Sequence, residues 1–313
     1  MVDLSFVIVN YNTRDLLLDC IASIYATVSY LTFEILLVDN NSSDDSVKAV
    51  SESFPEVVCF VNNVNKGFAR ANNIAIREAA GKYVVLLNTD TLLTDFAIAK
   101  IHDFMEEHHD VGICGGQLLN ADGSLQNSIA NYPTLATELL NKSLLRRLFP
   151  QKYPGKNQVF KSPTEVETII GACMVVSSEA IKKVGMLNES YFFYFEETDW
   201  CMAMKRSGFK VFFYPDAKIY HLQGQTAKRN ITATRIEYWR SRYIFFRKNY
   251  SVLKTVLLYV GLFFKLNLSI VIQLIPALFI TKTRSRFKVN VILLLWHLIF
   301  CPDSWGIDKG ISA

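Results

Sequence analysis

The sequence contains a short apolar run, Tyr83–Leu87, that is followed directly by Asn88, Thr89 and Asp90. A run of this length, rich in Val and Leu and preceded by Gly81, predicts a strand buried on both faces, as in a parallel sheet. The polar residues then fall at the carboxyl end of the strand, the edge at which open α/β sheets bind ligands. A carboxylate there can hold a divalent metal, although Asn-Thr-Asp is also typical of a turn and a helix N-cap.

The same pattern recurs near the amino terminus. The apolar runs Leu4–Val9 and Phe33–Val38 end in the polar clusters Asn10–Thr13 and Asp39–Asp45, and Val57–Val61 is a third apolar run. Helix-like segments separate these runs, which predicts βαβ units and a doubly wound, mostly parallel α/β sheet. The first cluster lacks the Gly-x-Gly-x-x-Gly turn of dinucleotide-binding oxidoreductases, which argues against that class.

Several residues in these segments are candidates for nucleotide binding. Asp39 follows a strand and can contact a base or ribose, although an Asx-turn is the alternative. Lys66 and Arg70 flank a predicted helix N-terminus, which is a natural anion site. The adjacent Asn72 and Asn73 lie inside that helix, where Asn is mildly unfavourable, so they have a specific role or face solvent.

Four ordered motifs resemble those of family 2 inverting glycosyltransferases, in particular the rhamnosyltransferase-like branch of bacterial surface-polysaccharide synthesis. The resemblance covers about residues 4–245 and implies a GT-A fold, a nucleotide-diphosphate sugar donor and a divalent metal, Mn²⁺ or Mg²⁺. The motifs are Val7–Asn12, Val38–Asp44, Asn65–Asn73 and Leu86–Asp90.

The resemblance implies roles for individual residues. Asp39 would contact the nucleoside, and Asp90 would be the metal-binding acid of an Asp-x-Asp-type motif whose first acid is Asn88 here. His221 begins a segment that resembles the family's His-x-x-Gly-x-Ser/Thr element and would complete the metal site, where imidazole favours Mn²⁺. A lone His is otherwise most often structural.

The aromatic run Tyr191–Phe195 precedes three acids, Glu196, Glu197 and Asp199. Aromatic rings can stack on a sugar and lower the local polarity, which raises the pKa of a carboxylate toward that of a useful base. The alternative is that these acids only complement a helix dipole. The segment resembles the family's Phe-Glu-Asp-x-Asp-Leu motif, which implies Glu197 as the base, with Asp199 and Glu196 as alternatives.

Two further segments belong to the second half of the chain. Residues 120–163 show no sustained periodicity of apolar residues. We therefore predict a mobile insertion that shapes the acceptor site. The run 165–176 predicts a central strand, whose small residues at 171–173 allow either a sugar or a neighbouring strand to approach. The residues assigned to substrate binding are Asn10, Tyr11, Asn12, Asp39, Asn41, Asn65, Lys66, Gly67, Arg70, Asn72, Asn88, Gly171 and Trp200.

The carboxy-terminal segment is apolar and basic. Val252–Ile280 is strongly apolar and flanked by basic residues, and Val289–Phe300 is too short for a span of about 20 residues. Basic flanks on both sides disfavour a single span, so we expect helices in the membrane interface or a re-entrant hairpin at Pro276, with a true span as the alternative. Residues 205–254 add twelve Lys or Arg against two acids, which favours anionic lipid or pyrophosphate over a merely solvated helix.

The scattered cysteines indicate buried thiols in a reducing compartment, and the amino terminus lacks a secretory signal, so we expect the cytoplasmic face of the bacterial inner membrane. We expect a GT-A domain over residues 1–245, divided near 118, and a membrane-associated helical tail over 246–313. The expected activity is metal-dependent inverting sugar transfer from a nucleotide-diphosphate sugar to a glycan or lipid-linked glycan, without a nucleic-acid partner. The alternatives are a non-catalytic sugar-nucleotide or glycan-binding protein and a membrane scaffold.

Overall fold

The computed structural model describes residues 2–149, 160–222, 231–299, 301–302 and 305–306. The chain forms two compact units, and the first contains the strands and six of the helices found in these residues. Parts of three predicted segments lie outside the described residues: residues 150–159 of the insertion, the residues after Leu222 in the His motif, and most of the last ten residues of the tail.

The first unit is built on a mixed, mostly parallel sheet with the strand order β3-β2-β1-β4-β10-β6-β11-β5, where β8 pairs with β11 and β7 pairs with β9 in a separate ribbon. The strands are β1 Leu4–Asn10, β2 Phe33–Asp39, β3 Val58–Val61, β4 Tyr83–Asn88, β5 Thr91–Leu93, β6 Val111–Leu119, β7 Ile129–Ala130, β8 Thr164–Glu165, β9 Thr168–Ile169, β10 Cys173–Ser177 and β11 Lys210–His221.

Helices cover both faces of this sheet. The helices of the first unit are α1 Arg14–Thr27, α2 Ser46–Ser53, α3 Phe68–Glu78, α4 Ala97–Glu107, α7 Ser178–Val184 and α8 Glu196–Arg206.

Alternate residues of each strand point to opposite faces, so the apolar runs supply two cores. Phe6 and Ile8 of β1 join the core that includes residues of α1 and α4, whereas Val7 joins the core that includes residues of α3, α7 and α8. Burial of both faces explains why the strands read as continuous apolar runs.

The second unit is helical. It contains residues 191–195 and the helices α5 Leu135–Leu139, α6 Lys142–Leu148, α9 Ile231–Asn249, α10 Val252–Gln273, α11 Pro276–Phe279 and α12 Thr281–Leu298.

Buried ion pairs and aromatic rings hold this unit together. The guanidinium of Arg242 on α9 donates to the carboxylate of Glu138 on α5 at 2.8 Å, and both side chains are buried. The ammonium of Lys265 on α10 donates to the Glu138 carbonyl oxygen at 2.8 Å. The Tyr243 hydroxyl on α9 lies 2.6 Å from Nε2 of His297 on α12. The expected boundary between the GT-A domain and the tail, after residue 245, lies inside α9, and this helix belongs to the second unit.

The structure corrects three details of the sequence-based picture. The run 165–176 is not one strand but is divided among β8, β9 and β10, and β10 lies antiparallel between β4 and β6. The insertion contains two short helices, α5 and α6, in place of irregular chain alone. The three-residue strand β5 directly after Asp90 was not predicted, because it is too short to show a periodic pattern.

Candidate active site

The polar ends of three adjacent parallel strands meet at one edge of the sheet, as the sequence predicted. The register aligns Asn10 of β1 with Asp39 of β2, and the Asn10 amide donates to Oδ1 of Asp39 at 2.8 Å. The Thr13 hydroxyl donates to Oδ1 of Asn10 at 2.8 Å, and its oxygen lies 2.8 Å from that of Thr89. A hydrogen-bonded chain thus connects the end of β2 through β1 to the turn after β4.

Asp39 is fixed within this network. Its side chain is buried, and its second oxygen accepts the Ser42 backbone N–H at 2.8 Å. Asn12 joins the loops after β1 and β2, because its amide oxygen accepts the Ser43 N–H at 2.8 Å. Asn12 and Asn41 adopt left-handed backbone conformations, with φ of 54° and 68°, which Asn tolerates better than most residues. Asn41 and Tyr11 are exposed on the rim of this edge.

The start of α3 is joined to the same edge by Asn40, a residue that the sequence analysis did not single out. Its buried amide donates to the Gly67 carbonyl oxygen at 3.2 Å and its oxygen accepts the Lys66 N–H at 3.3 Å. Asn65 accepts the Gly67 N–H at 2.9 Å, and Gly67 has a φ of 80°, which explains glycine at this turn. The sequence feature that points to a role for Asn40 is its position directly after Asp39 in the motif Val38–Asp44.

Farther along α3, two adjacent asparagines lie in the interior. Asn72 and Asn73 do not face solvent, since they are 1% and 2% exposed. The Asn72 amide donates to the Phe68 carbonyl oxygen at 2.8 Å within its own helix. Asn73 exchanges hydrogen bonds with the backbone of Leu187, which is a structural role. Arg70 is exposed and donates through Nε to the Glu189 carbonyl oxygen at 3.3 Å.

Asp90 and His221 face each other across the β5–β11 pairing. Thr91 of β5 lies opposite His221 in the antiparallel register, and the Leu222 N–H donates to the Asp90 carbonyl oxygen at 2.8 Å. This pairing brings Nε2 of His221 to 3.4 Å from Oδ1 of Asp90, with both side chains largely buried. The two residues predicted to form a metal site are therefore adjacent, although 131 positions separate them in the sequence.

Gln126 determines the orientation of the His221 ring. The Gln126 amide nitrogen donates to the His221 carbonyl oxygen at 3.1 Å and to Oδ1 of Asn120 at 2.9 Å. A carbonyl oxygen can only accept, so the other end of the Gln126 amide is the oxygen that lies 2.7 Å from Nδ1 of His221. Nδ1 therefore carries a hydrogen, and in the neutral ring the lone pair of Nε2 faces Asp90.

This arrangement fits a divalent cation. An imidazole lone pair and a carboxylate oxygen at 3.4 Å present two acceptors to the same point, and a hydrogen bond to the remote ring nitrogen is typical of metal-binding His. No group of three or more His, Cys, Asp or Glu residues suited to a metal occurs within the described ranges. Two protein ligands nevertheless suffice for Mg²⁺ or Mn²⁺ when substrate phosphates and water complete the coordination.

Asn88, at the first position of this motif, ends β4. Its backbone N–H donates to the Ala172 carbonyl oxygen at 2.9 Å, and its carbonyl oxygen accepts the Thr91 hydroxyl at 2.6 Å. These two bonds fix the turn that presents Asp90.

Glu197 lies in the first turn of α8 in the same unit. Burial raises the pKa of its carboxyl group above the ordinary value. Its Oε2 is buried and accepts no hydrogen bond from any described residue, and Oε1 is 3.5 Å from the Thr198 hydroxyl. A Cβ added at Gly171 would lie 3.4 Å from Cβ and Cγ of Glu197, so glycine there leaves room for this side chain. A raised pKa and a free acceptor oxygen are the properties of a general base.

The neighbours of Glu197 are buried more deeply. Glu196 and Asp199 are both buried, as is Trp200, whose indole N–H donates to the Gly185 carbonyl oxygen at 2.9 Å. Trp200 packs in the core with residues of α3 and α7. A motif places a residue on a helix, but it does not say which face of the helix is buried.

The aromatic run before α8 belongs to the second unit. Tyr191 and Phe195 are buried, so these two rings are not available to stack on a sugar. Tyr194 and Phe195 have φ of 71° and 69° and contact the Tyr238 ring of α9, with centroids 5.5 and 5.2 Å apart. Left-handed conformations at bulky residues are uncommon and store strain.

The sequence itself matches a known family. Residues 5–185, more than half of the chain, match the pattern of Glycosyl transferase family 2. The chain belongs to this family. The family resemblance read from the four motifs is thereby confirmed.

Named relatives of this family 2 chain include a low-salt glycan biosynthesis hexosyltransferase, Agl10, of Haloferax volcanii. It is 28% identical over 214 residues, which are 67% of this chain and 64% of the relative. An N-acetylglucosaminyl-diphospho-decaprenol L-rhamnosyltransferase of Mycobacterium tuberculosis is 25% identical over 69% of this chain and 75% of its own length. The chain thus spans just under two thirds of the first relative and three quarters of the second.

Solved structures show the fold. GalNAc-T7, determined with UDP, GalNAc and Mn²⁺, aligns with a TM-score of 0.56 over 78% of this chain and 50% of its own, at 14% identity. TarS of S. aureus aligns with a TM-score of 0.55 over 83% of this chain and 42% of its own, at 15% identity. The predicted GT-A class is confirmed, with the antiparallel β10 as part of its central sheet.

Proposed function

We propose that this family 2 chain is an inverting hexosyltransferase that moves a sugar from a nucleotide-diphosphate donor to a lipid-linked glycan in cell-surface polysaccharide synthesis. The observation that carries the proposal is the apposition of Asp90 and His221 at the carboxyl edge of a GT-A sheet. The Mycobacterium tuberculosis relative, which is named for rhamnosyl transfer to a diphospho-decaprenol glycan, supports the acceptor class and suggests rhamnose as one donor sugar.

The donor would lie along the carboxyl ends of β1, β2 and β4. Asp39, held by Asn10 and Ser42, keeps lone pairs for a nucleoside N–H or hydroxyl group. The first turn of α3 offers backbone N–H groups together with the cations of Lys66 and Arg70, a combination that suits a diphosphate. These roles follow from position and charge.

Asp90 and His221 would hold the divalent metal, with Gln126 fixing the imidazole. When bound there, Mn²⁺ or Mg²⁺ supplies positive charge to the oxygens of the leaving diphosphate. The protein's contribution is to present two ligands at a fixed separation on the β5–β11 pair.

Glu197 would act as the base. Its carboxylate takes the proton of an acceptor hydroxyl group as that oxygen attacks the anomeric carbon, and the bond from that carbon to the diphosphate oxygen breaks. The nucleoside diphosphate departs with the bonding electrons, and the configuration at the anomeric carbon inverts. The buried, unpaired Oε2 supports this role, because it is free to accept a proton.

The acceptor would reach the enzyme at the cytoplasmic face of a membrane. α10 has the length and composition of a membrane-spanning helix. The Mycobacterium tuberculosis relative, which is named for a decaprenol-linked acceptor, supports the same location.

Thermal shift with a panel of nucleotide sugars, with and without Mn²⁺, tests the proposal. We expect one donor to raise the melting temperature more with Mn²⁺ than without it, and to be turned over when a polyprenyl-diphosphate glycan is added. Donor binding without turnover on any such acceptor would indicate a non-catalytic sugar-nucleotide-binding protein.

A further inference from the structure

The helix α10 has two distinct sides. Leu258, Leu262 and Leu266 recur every fourth residue and are buried against the rest of the second unit. The opposite side of the helix is an apolar stripe that none of the described residues covers. Contiguous apolar surface of this extent marks a protein or membrane contact. The exposed members of the stripe are Val252, Leu253, Val256, Leu257, Val260, Phe264, Leu268, Val271 and Ile272.

The stripe continues into the turn between α10 and α12, residues 274–280. Ile275 and Phe279 are 69% and 80% exposed there. Arg284 on α12 donates through Nε to the Ala277 carbonyl oxygen at 3.1 Å and through Nη2 to the Leu278 carbonyl oxygen at 2.8 Å. The turn is therefore an apolar tip, and the Arg284 guanidinium donates hydrogen bonds to two of its backbone carbonyl oxygens.

Charge distinguishes this surface from an ordinary protein interface. The sequence from Ser251 to Ile299 contains six Lys or Arg residues and no Asp or Glu. Lys282, Arg284, Arg286 and Lys288 lie on the first two turns of α12 directly after the tip, and all four are exposed. A basic collar beside an apolar tip matches the headgroups and acyl chains of an anionic leaflet.

The polar contacts of α10 argue against a span. Lys265 in its second half donates to the Glu138 carbonyl oxygen. Asn290 on α12 donates to Oγ of Ser269 and to Oε1 of Gln273 at 3.1 Å each, so polar groups line the side of α10 that meets α12. A spanning hairpin would also have to carry the four cations of the collar across the bilayer.

We propose that α10, α11 and α12 form a monotopic hairpin that lies in one leaflet of an anionic membrane. The stripe and the tip enter the acyl boundary, and the basic collar meets lipid phosphates. The inference rests on the proposed function in one respect: a lipid-linked acceptor would be presented to the enzyme at the same membrane surface.

Flotation of the full chain with vesicles tests the membrane contact. We expect flotation with phosphatidylcholine vesicles that contain phosphatidylglycerol, and at least tenfold less with phosphatidylcholine alone. The double variant Ile275→Glu, Phe279→Glu and the triple variant Lys282→Gln, Arg286→Gln, Lys288→Gln should each lower binding at least tenfold. Val64→Glu changes an exposed apolar residue of the first unit and should bind as the wild type does. Unchanged melting temperatures verify that each variant is folded.

Chemical labelling separates a monotopic hairpin from a span. A cysteine introduced by Ser285→Cys, an exposed position beside the tip, should react with a membrane-impermeant maleimide in inverted membrane vesicles and not in intact cells. Labelling of this cysteine from outside intact cells overturns the monotopic arrangement. Failure of the wild type to float with anionic vesicles overturns the membrane contact and leaves a protein partner as the occupant.

Donor turnover, measured on the same wild-type preparation, keeps this inference distinct from the proposed function. Flotation without turnover of any nucleotide sugar supports the hairpin and removes the proposed function. Turnover without flotation supports the proposed function and removes the hairpin.

Discussion

Gln126 accepts a hydrogen bond from Nδ1 of His221 at 2.7 Å, although 95 residues separate the two in the sequence. Because in the neutral ring this bond leaves the Nε2 lone pair directed at Asp90, Gln126 is a positioning residue for the proposed metal site. Gln126→Leu should weaken Mn²⁺ binding about ten- to hundredfold, measured by titration calorimetry in the presence of the best nucleoside diphosphate. Asn127→Ala, at an exposed neighbouring amide, is the control. Unchanged Mn²⁺ affinity in folded Gln126→Leu would remove this role.

Asp90 should be required for the metal-dependent part of donor binding. Asp90→Ala removes the charged member of the Asp90–His221 pair, so the additional thermal stabilisation that Mn²⁺ gives to the donor complex should disappear. Asp95→Ala changes an exposed acid five positions later and should retain the full effect. A Mn²⁺-dependent shift in Asp90→Ala equal to that of the wild type would place the metal elsewhere.

The pH dependence of transfer should report the raised pKa of Glu197. A general base acts in its deprotonated form, so the rate should fall as the pH drops through the pKa of this group. Because burial raises that pKa above the ordinary glutamate value of 4.5, the acidic limb should lie at a correspondingly higher pH. We expect Asp199→Asn to preserve the position of this limb. Loss of the limb in Asp199→Asn, with its retention in Glu197→Gln, would transfer the base role to Asp199.

The same burial predicts an effect on stability. A carboxyl group whose pKa is higher in the folded than in the unfolded state binds more protons when folded, so it lowers the free energy of unfolding as the pH rises above 4.5. Glu197→Gln removes this charge, and denaturant unfolding should show a variant that is more stable than the wild type at neutral pH. The difference should shrink toward pH 4.5. A variant less stable than the wild type at neutral pH would mean that the carboxylate is stabilised by a partner.

Gly171 should matter to activity through Glu197. Valine at this position would place side-chain atoms against the Glu197 stem, which a Cβ alone would approach to 3.4 Å. We expect Gly171→Val to lower kcat more than it changes the KM for the donor. Gly123→Ala is the control in a different loop, since a Cβ there meets no atom within 4 Å and any effect comes from the positive φ of 79°. Equal kcat values in wild type and Gly171→Val would show that this contact has no influence on the base.

The parts of the site that the sequence revealed are those encoded by strand ends. Asn10, Asp39 and Asp90 each follow an apolar run, and the carboxyl ends of parallel strands meet at one edge, so local pattern was enough to bring them together. Which residues of a helix are buried could not be read from the local sequence in the same way. Asn72 and Trp200 lie in recognisable motifs, yet only the packing of α3 and α8 shows that both point into the interior.

Long-range partners were hidden from the sequence for a different reason. Gln126 lies in an irregular segment without periodicity, and its contact with His221 depends on how that loop meets the end of β11. Strand β5 is three residues long, and its pairing with β11 is what brings Asp90 to His221. These relationships are set by tertiary pairing, which a single sequence does not display.

Sugar transfer by Glu197→Gln, measured alongside donor binding, tests the central claim most directly. The substitution keeps the shape of the side chain but removes its ability to take a proton, so donor affinity with Mn²⁺ should match that of the wild type while transfer falls about 10²- to 10⁴-fold. Wild-type transfer by Glu197→Gln would contradict the account, because the proton of the acceptor would then leave through another group.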